Sequence, residues 1–292
     1  MSRRFEIVDV FVAPDAPGPG SGNQLAVVLD AEGLDAPAMQ AIAAEFGFAE
    51  TSFCFAPADP AHTAHVRIFT PAHEMPFAGH PNVGTAAVLA RIGTFAGRPM
   101  GRELAFEESA GLVLARADPV ASRALIRAPQ PLSLGPAVAP EAVAQLCGLA
   151  ADDILDQPFA PSIASVGAPF LFAPVSPDAL ARARPDAAAF AEAQASGRLA
   201  ATGLHLHAER NEPGTVEARM FAPAAGVPED AATGSAAAGL AALCHHHDPR
   251  RTRLVVRQGR FIGRPSCIEA EVRADGIWIG GLVRRFASGT LE

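Results

Sequence analysis

The chain has 292 residues, 49% of them hydrophobic and 18% charged, with a formal net charge of −8. This length suits one large domain or two of about 140 residues, with an ordinary globular composition. All 23 basic residues are Arg, so Schiff-base, P-loop and kinase-type lysine chemistries are excluded, and the lack of Tyr excludes a tyrosine general acid.

Residues 4–12 alternate Phe5, Ile7, Val8, Val10, Phe11 and Val12 and predict a strand. The Pro/Gly-rich residues 13–23 predict a loop, and Leu25 to Leu29 a second strand. Met39, Ile42, Ala43 and Phe46 stand at helical spacing within 35–46, with Gly47 as the stop. Glu50 leads a short strand through Phe55, and Phe106 to Ala115 reads as a strand pair about Gly111. The Pro-rich residues 128–140 open a helix from Pro140 to Leu149 and mark a seam. We place an N-terminal half at 1–120 and a C-terminal half at 121–292, with the last strands free to cross back. In the second half, Ser165 to Val175 predicts a strand and 178–196 a helix. Strands follow at Leu204–Ala208, Thr215–Phe221, Leu254–Arg257, Cys267–Val272 and Gly276–Val283.

Strands and helices do not alternate regularly enough for a doubly wound parallel sheet. The expected class is α+β, each half a curved, mostly antiparallel sheet wrapped around a central helix. The all-round apolar residues 82–92 and 234–243 suit such buried helices. A repeat supports two halves. With an offset of 152, Arg67 matches Arg219, Phe69 matches Phe221, Pro71 matches Pro223 and Pro76 matches Pro228. Each copy runs from a β-like segment through a proline-bounded loop into a small-residue helix. Two such halves facing each other would aim two helix N-termini, natural anion sites, at one cleft.

Three places carry residues suited to chemistry. Pro81 fits a first helical position, Gly79 permits close approach of a ligand, and His80 would sit at the positive helix end as a neutral imidazole. The alternative is that His80 merely caps. Asp230 could cap at Thr233, with Ser235 pointing into a cleft and the amides beside Gly234 cradling an anion. Glu50 has the apolar neighbours Phe48, Ala49, Phe53 and Phe55. A carboxyl buried there would take and return a proton near neutrality, whereas an exposed strand-end Glu would not.

Other features point away from function. Cys244 and His245 to His247 are adjacent rather than convergent and have no second ligand cluster, so no metal is expected. Cys54 and Cys147 suit core packing. Arg250, Arg251, Arg253, Arg257 and Arg260 read as a solvated edge strand, and no nucleic-acid footprint is expected. The N-terminus lacks a signal-peptide run and no stretch of 18 apolar residues suggests a membrane span, so a cytoplasmic protein with reduced thiols is expected.

Five segments together resemble the PhzF family, named for phenazine biosynthesis, within the diaminopimelate-epimerase-like superfamily. They are Ser21-Gly-Asn23-Gln-Leu-Ala-Val, Glu45-Phe-Gly-Phe-Ala-Glu50-Thr, Arg67-Ile-Phe-Thr-Pro, Glu74-Met-Pro-Phe-Ala-Gly-His80-Pro and Gly226-Val-Pro-Glu-Asp230-Ala-Ala-Thr-Gly-Ser235-Ala. Gln258-Gly and Gly263-Arg-Pro-Ser266 complete the set, which spans nearly the whole chain. The resemblance implies two pseudo-symmetric halves with the active site between them, a cofactor-free isomerase, and a homodimer. It implies Glu50 as proton shuttle, with His80 and Asp230 orienting the substrate and assisting proton movement. It implies Gly79, Thr233, Gly234 and Ser235 lining the site and Asn23 as a binding residue. Gln24 and Ala231 stand where the family usually has Pro. The thiol racemases of the superfamily resemble this fold but need a Cys near each helix start. Ala78, His80, Asp230 and Ser235 hold those places here, so two-cysteine epimerisation is not expected. The implied substrate is a small carboxylate, cyclic or conjugated. A non-catalytic carboxylate-binding protein and an epimerase using another acid/base pair stand as alternatives.

Overall fold

The computed structural model describes residues 2–16 and 18–292. These form two compact units. One runs through Pro129 and takes in Ile279–Glu292, and the other comprises Gln130–Trp278.

In chain order the first unit carries β1 (Arg3–Val12), β2 (Asn23–Val28), α1 (Ala36–Phe46), β3 (Glu50–Phe55), β4 (Ala64–Phe69), β5 (Glu74–Met75) and α2 (Gly79–Ile92). A small hairpin, β6 (Thr94–Phe95) and β7 (Arg98–Pro99), precedes β8 (Glu103–Glu108), β9 (Gly111–Asp118) and β10 (Arg123–Arg127). The second unit carries β11 (Ser133–Ala137), α3 (Pro140–Cys147), β12 (Ser162–Ser165), β13 (Pro169–Pro174), α4 (Pro177–Arg182), α5 (Ala187–Ala195), β14 (Leu204–Glu209) and β15 (Thr215–Ala222). β16 (Val227–Asp230), α6 (Gly234–His247), β17 (Arg253–Gln258) and β18 (Ser266–Arg273) follow. The final strand, β19 (Gly276–Leu291), returns to the first unit, where it pairs antiparallel with β1 from Arg3↔Leu291 to Val12↔Leu282.

Within the first unit, β1–β2, β3–β4, β8–β9 and β9–β10 pair antiparallel, while β2–β3 and β4–β8 pair parallel. The parallel pairs are those whose connections cross over through α1 and α2, as parallel neighbours require. β10 also pairs with β19, so the eight strands β1-β2-β3-β4-β8-β9-β10-β19 close on themselves. α2 packs against β1, β2, β3, β9 and β10, and Gly79 through Ala86 are all buried. The interior of an eight-stranded closure is narrow, so the helix inside must be slim. Gly84 shows why: a Cβ there would lie 2.4 Å from Leu25 Cδ2 and 2.8 Å from Val10 Cγ2. On the outer side, α1 buries Met39 and Ala43 against Val28, Phe53 and Phe69. Asp35 caps α1 by accepting from the Ala38 amide, and Gly47 ends it at φ 65°.

Within the second unit, β12–β13, β14–β15 and β17–β18 pair antiparallel, and β13–β14 and β15–β17 pair parallel. α6 is buried through Cys244 apart from Ser235 and packs against β12, β13, β17 and β18. A separate core joins α3, α4 and α5 through Leu146, Leu180 and Phe190 to Leu171, Leu206 and Phe221.

Three sequence expectations are corrected. The helix expected over 178–196 is two helices, because Pro185 denies the preceding residues a continuous helical path. The strand expected over Ser165–Val175 is shorter: Ser165 ends β12, the chain turns at Gly167 with φ 144°, and β13 occupies Pro169–Pro174. Pro81 is the third residue of α2 rather than the first, since Gly79 begins the helix after Ala78. A proline is tolerated there because the third amide has no partner within the helix. The basic run is charge-balanced: Arg250 pairs with Asp248, Arg251 with Glu209, Arg253 with Glu271 and Arg260 with Glu217. Among the described residues, no helix is long and apolar enough to cross a membrane.

Candidate active site

The first unit brings Glu50 and His80 together. Glu50 opens β3 in parallel register with Leu25 of β2, one turn of chain beyond α1. His80 is the second residue of α2, and its Nε2 stands 3.5 Å from Glu50 Oε2. The side chains are 18% and 5% exposed, so Glu50 is not the solvated strand-end carboxylate that its position in the sequence allowed. A separation of 3.5 Å is long for a hydrogen bond, but catalytic hydrogen bonds are often long before substrate arrives. Asn82 braces the same helix start by donating from Nδ2 to the Ala78 carbonyl at 3.0 Å. Asn23 opens β2 opposite Val10 and is 6% exposed. Gly22 before it has φ +82°, and a Cβ there would meet the Val10 carbonyl at 2.7 Å.

The loop that delivers His80 is fixed by a bidentate ion pair. Arg67 on β4 donates from Nε and Nη2 to both oxygens of Glu74, each at 2.6 Å, with its guanidinium 5.3 Å from the Phe69 ring centre. The second unit uses the same device. Arg219 on β15 donates to both oxygens of Glu229 at 2.9 and 2.6 Å and lies over Phe221 at 4.9 Å. Planar, two-point pairing of this kind sets orientation as well as proximity.

Asp230 follows Glu229 and ends β16. Its Oδ2 accepts from the Thr233 hydroxyl at 2.7 Å. Thr233 itself precedes α6 as the cap residue, and its amide donates to Gln258 Oε1 at 3.3 Å. Gly234 and Ser235 are the first two residues of α6. The helix start therefore offers backbone donors beside a hydroxyl and a carboxylate, a suitable place for an anionic group.

Two residues near these groups had no assigned role in the sequence. Gln258 appeared only within a matching motif. Glu108 was passed over, although its period-two relation to the buried Leu104 and Phe106 puts it on the inner face of β8. Burial pushes the Glu108 carboxyl up to about 8, and Asn82 pulls it down too weakly to offset this. The four thiols are buried on β3, α3, α6 and β18, and none is among the first residues of α2 or α6. Burial pushes Cys147 up to about 12 and Cys244 up to about 11, far from the thiolate form needed by a nucleophile or carbon base.

The family model described as phenazine biosynthesis-like protein, PhzC-PhzF, matches residues 8–278. The chain belongs to this family. It is 36% identical to an uncharacterized isomerase of Mesorhizobium japonicum, over 99% of each chain. It is 34% identical to the trans-2,3-dihydro-3-hydroxyanthranilate isomerase of Pseudomonas chlororaphis, over 98% of each chain. A solved Pseudomonas aeruginosa protein described as a predicted epimerase superposes with a TM-score of 0.83 at 32% identity, over 99% of each chain. The PhzF-family chain is an isomerase with a sheet-rich mixed α/β fold.

Proposed function

We propose that this PhzF-family protein is a cofactor-independent isomerase that relocates one proton on a small carboxylate-bearing metabolite, with Glu50 carrying it. The observation that supports Glu50 is its carboxylate, mostly shielded and 3.5 Å from His80 Nε2 at the start of a buried helix. The Glu50 carboxylate removes a proton from a carbon activated by conjugation, and the electron pair delocalises into the substrate. Protonated Glu50 exchanges its acid proton with solvent and then protonates a second carbon, so a double bond moves with no net oxidation or reduction. His80, held in place, donates or accepts a hydrogen bond as charge shifts, and backbone donors stabilise developing negative charge. We assign Asp230, Thr233, Gly234 and Ser235 to substrate orientation in the same reaction, with Gly79 and Asn23 as further binding residues. The duplicated arrangement, Arg–Glu clamp then helix start, supports two pseudo-symmetric halves that share an ancestral plan.

The relatives named for trans-2,3-dihydro-3-hydroxyanthranilate suggest a ring acid with an amino and a hydroxyl group as the first substrate to try. The decisive measurement is deuterium incorporation from D2O into that compound and a panel of small unsaturated carboxylic acids, read by mass spectrometry. The parent should incorporate one deuterium at the new C–H position. Glu50→Gln should lose about 10²- to 10⁴-fold in rate while melting like the parent. Undiminished exchange in Glu50→Gln would remove Glu50 from the mechanism. Ligand binding without exchange would instead mark a binding protein, and inversion of a stereocentre without double-bond movement an epimerase.

A further inference from the structure

We propose that Gln258 is a positioning residue that aims the Asp230 carboxylate, an inference that rests on the assignment of Asp230 to the reaction. Gln258 ends β17 and is 1% exposed. Its Nε2 donates to the Asp230 carbonyl at 2.9 Å and to Thr233 Oγ1 at 3.0 Å, while Oε1 accepts from the Thr233 amide at 3.3 Å. All three contacts fix which way the carboxamide faces. Turned over, its oxygen would meet the Asp230 carbonyl oxygen and its amino group the Thr233 amide, pairing like with like.

The direction of the chain of hydrogen bonds follows from this. Thr233 Oγ1 accepts from Gln258, so its own proton goes to Asp230 Oδ2, 2.7 Å away. Gln258 thus holds the Asp230 peptide directly and the Asp230 side chain through one hydroxyl. The next residue tightens the grip. Gly259 has φ +78°, and a Cβ there would lie 2.2 Å from the Arg264 carbonyl oxygen and 2.5 Å from that of Ala231. On the other side of Asp230, Glu229 is held by Arg219, whose Nη1 also donates to the Leu180 and Ala183 carbonyls at 3.0 and 2.7 Å. Asp230 is therefore pinned at both neighbours and aimed by a side chain that stands 28 residues later. A displacement of about 1 Å in such a group costs on the order of 10²-fold in rate, so loss of the aim should register in turnover.

The test compares Gln258→Leu and Gln258→Glu, the latter of nearly the same shape, with Asp230→Asn and with Thr233→Val. The probe is trans-2,3-dihydro-3-hydroxyanthranilate in D2O. Both Gln258 variants should lower kcat roughly 10- to 100-fold with KM changed far less, and Thr233→Val, which removes the linking hydroxyl, should resemble them. In the Asp230→Asn background, Gln258→Leu should cost little more, because the two residues act as one unit. An equal loss from Gln258→Leu in both backgrounds, or unchanged kcat in folded Gln258→Glu, overturns the proposal. If Asp230→Asn itself leaves turnover intact, the assignment of Asp230 has failed, and amide hydrogen exchange still decides the positioning. Gln258→Leu should then speed exchange at 231–234 about tenfold or more without affecting β15, and unchanged protection at 231–234 overturns the inference.

Discussion

Glu108 and the pair His205 and His207 bury ionisable groups without charge compensation, and they tilt stability in opposite directions. Burial pushes His205 down to about 3, with His207 adding to the effect, and pushes His207 down to about 4. The unfolded chain therefore binds more protons than the folded one below about 6.5, the ordinary histidine value. The stability these imidazoles allow is present above that value and drains away as pH falls towards 4 and 3. Glu108 behaves oppositely. Its folded value of about 8 exceeds the ordinary 4.5, so its contribution is present below 4.5 and is lost as pH rises to 8. Thermal melts from pH 4 to 9 should show an acid limb from the histidines and an alkaline limb from Glu108. Glu108→Gln should raise the melting temperature at pH 8.5, leave it nearly unchanged at pH 4.5, and keep the acid limb. An alkaline limb of unchanged slope in that variant would assign the effect elsewhere. Legibility at this scale followed sequence distance. His80 stood in a local context that already suggested chemistry, and Glu50 was picked out by the family resemblance. Gln258 meets Asp230 from 28 residues away, and no local spacing encodes such a contact.

Elements were legible where one chemical signal dominated. Helix α1 was legible because apolar residues at helical spacing run up to the Gly47 stop; its cap, Asp35, stands just outside the helix. The break between α4 and α5 is marked only by Pro185 within an Ala-rich run that otherwise favours one helix, and in the chain that one ring suffices. The parallel pairing of β2 with β3 left no trace in alternation, since both faces of these strands contribute buried residues, while β4 and β8 alternate, a pattern that does not set strand direction. What α2 requires is sharper than a hydrophobic helix. Its face towards β1 and β2 must lack a side chain at Gly84, where Leu25 and Val10 already occupy the space. Gly84→Val should destabilise by about 1–3 kcal/mol through overpacking, measured by urea unfolding. Because α2 carries His80, the same variant should lose turnover even where it remains folded. A neutral outcome on both counts would show that the interior tolerates a thicker helix.

At the scale of the whole molecule, the composition and repeat pointed to two similar stretches with the last strands free to cross back, but did not fix which residues complete the first unit. Residues 279–292 complete it from the far end of the sequence. Their register with β1 begins at Arg3↔Leu291 and continues to Val12↔Leu282, a pairing between segments that only a three-dimensional arrangement can relate. Removing Ile279–Glu292 should expose the edges of β1 and β10 and yield aggregated or poorly folded protein by size-exclusion chromatography and circular dichroism. A soluble truncation with the parent's spectrum would show that closure is dispensable. The dependence also has a consequence in time. While the ribosome is still extending the polypeptide, β1 has its β2 neighbour but must wait until residues 282–291 are made before its other partner exists. Until then, the group of residues around Glu50 and His80 is housed in an unfinished enclosure, and the growing chain carries an unsealed seam that invites association with its neighbours.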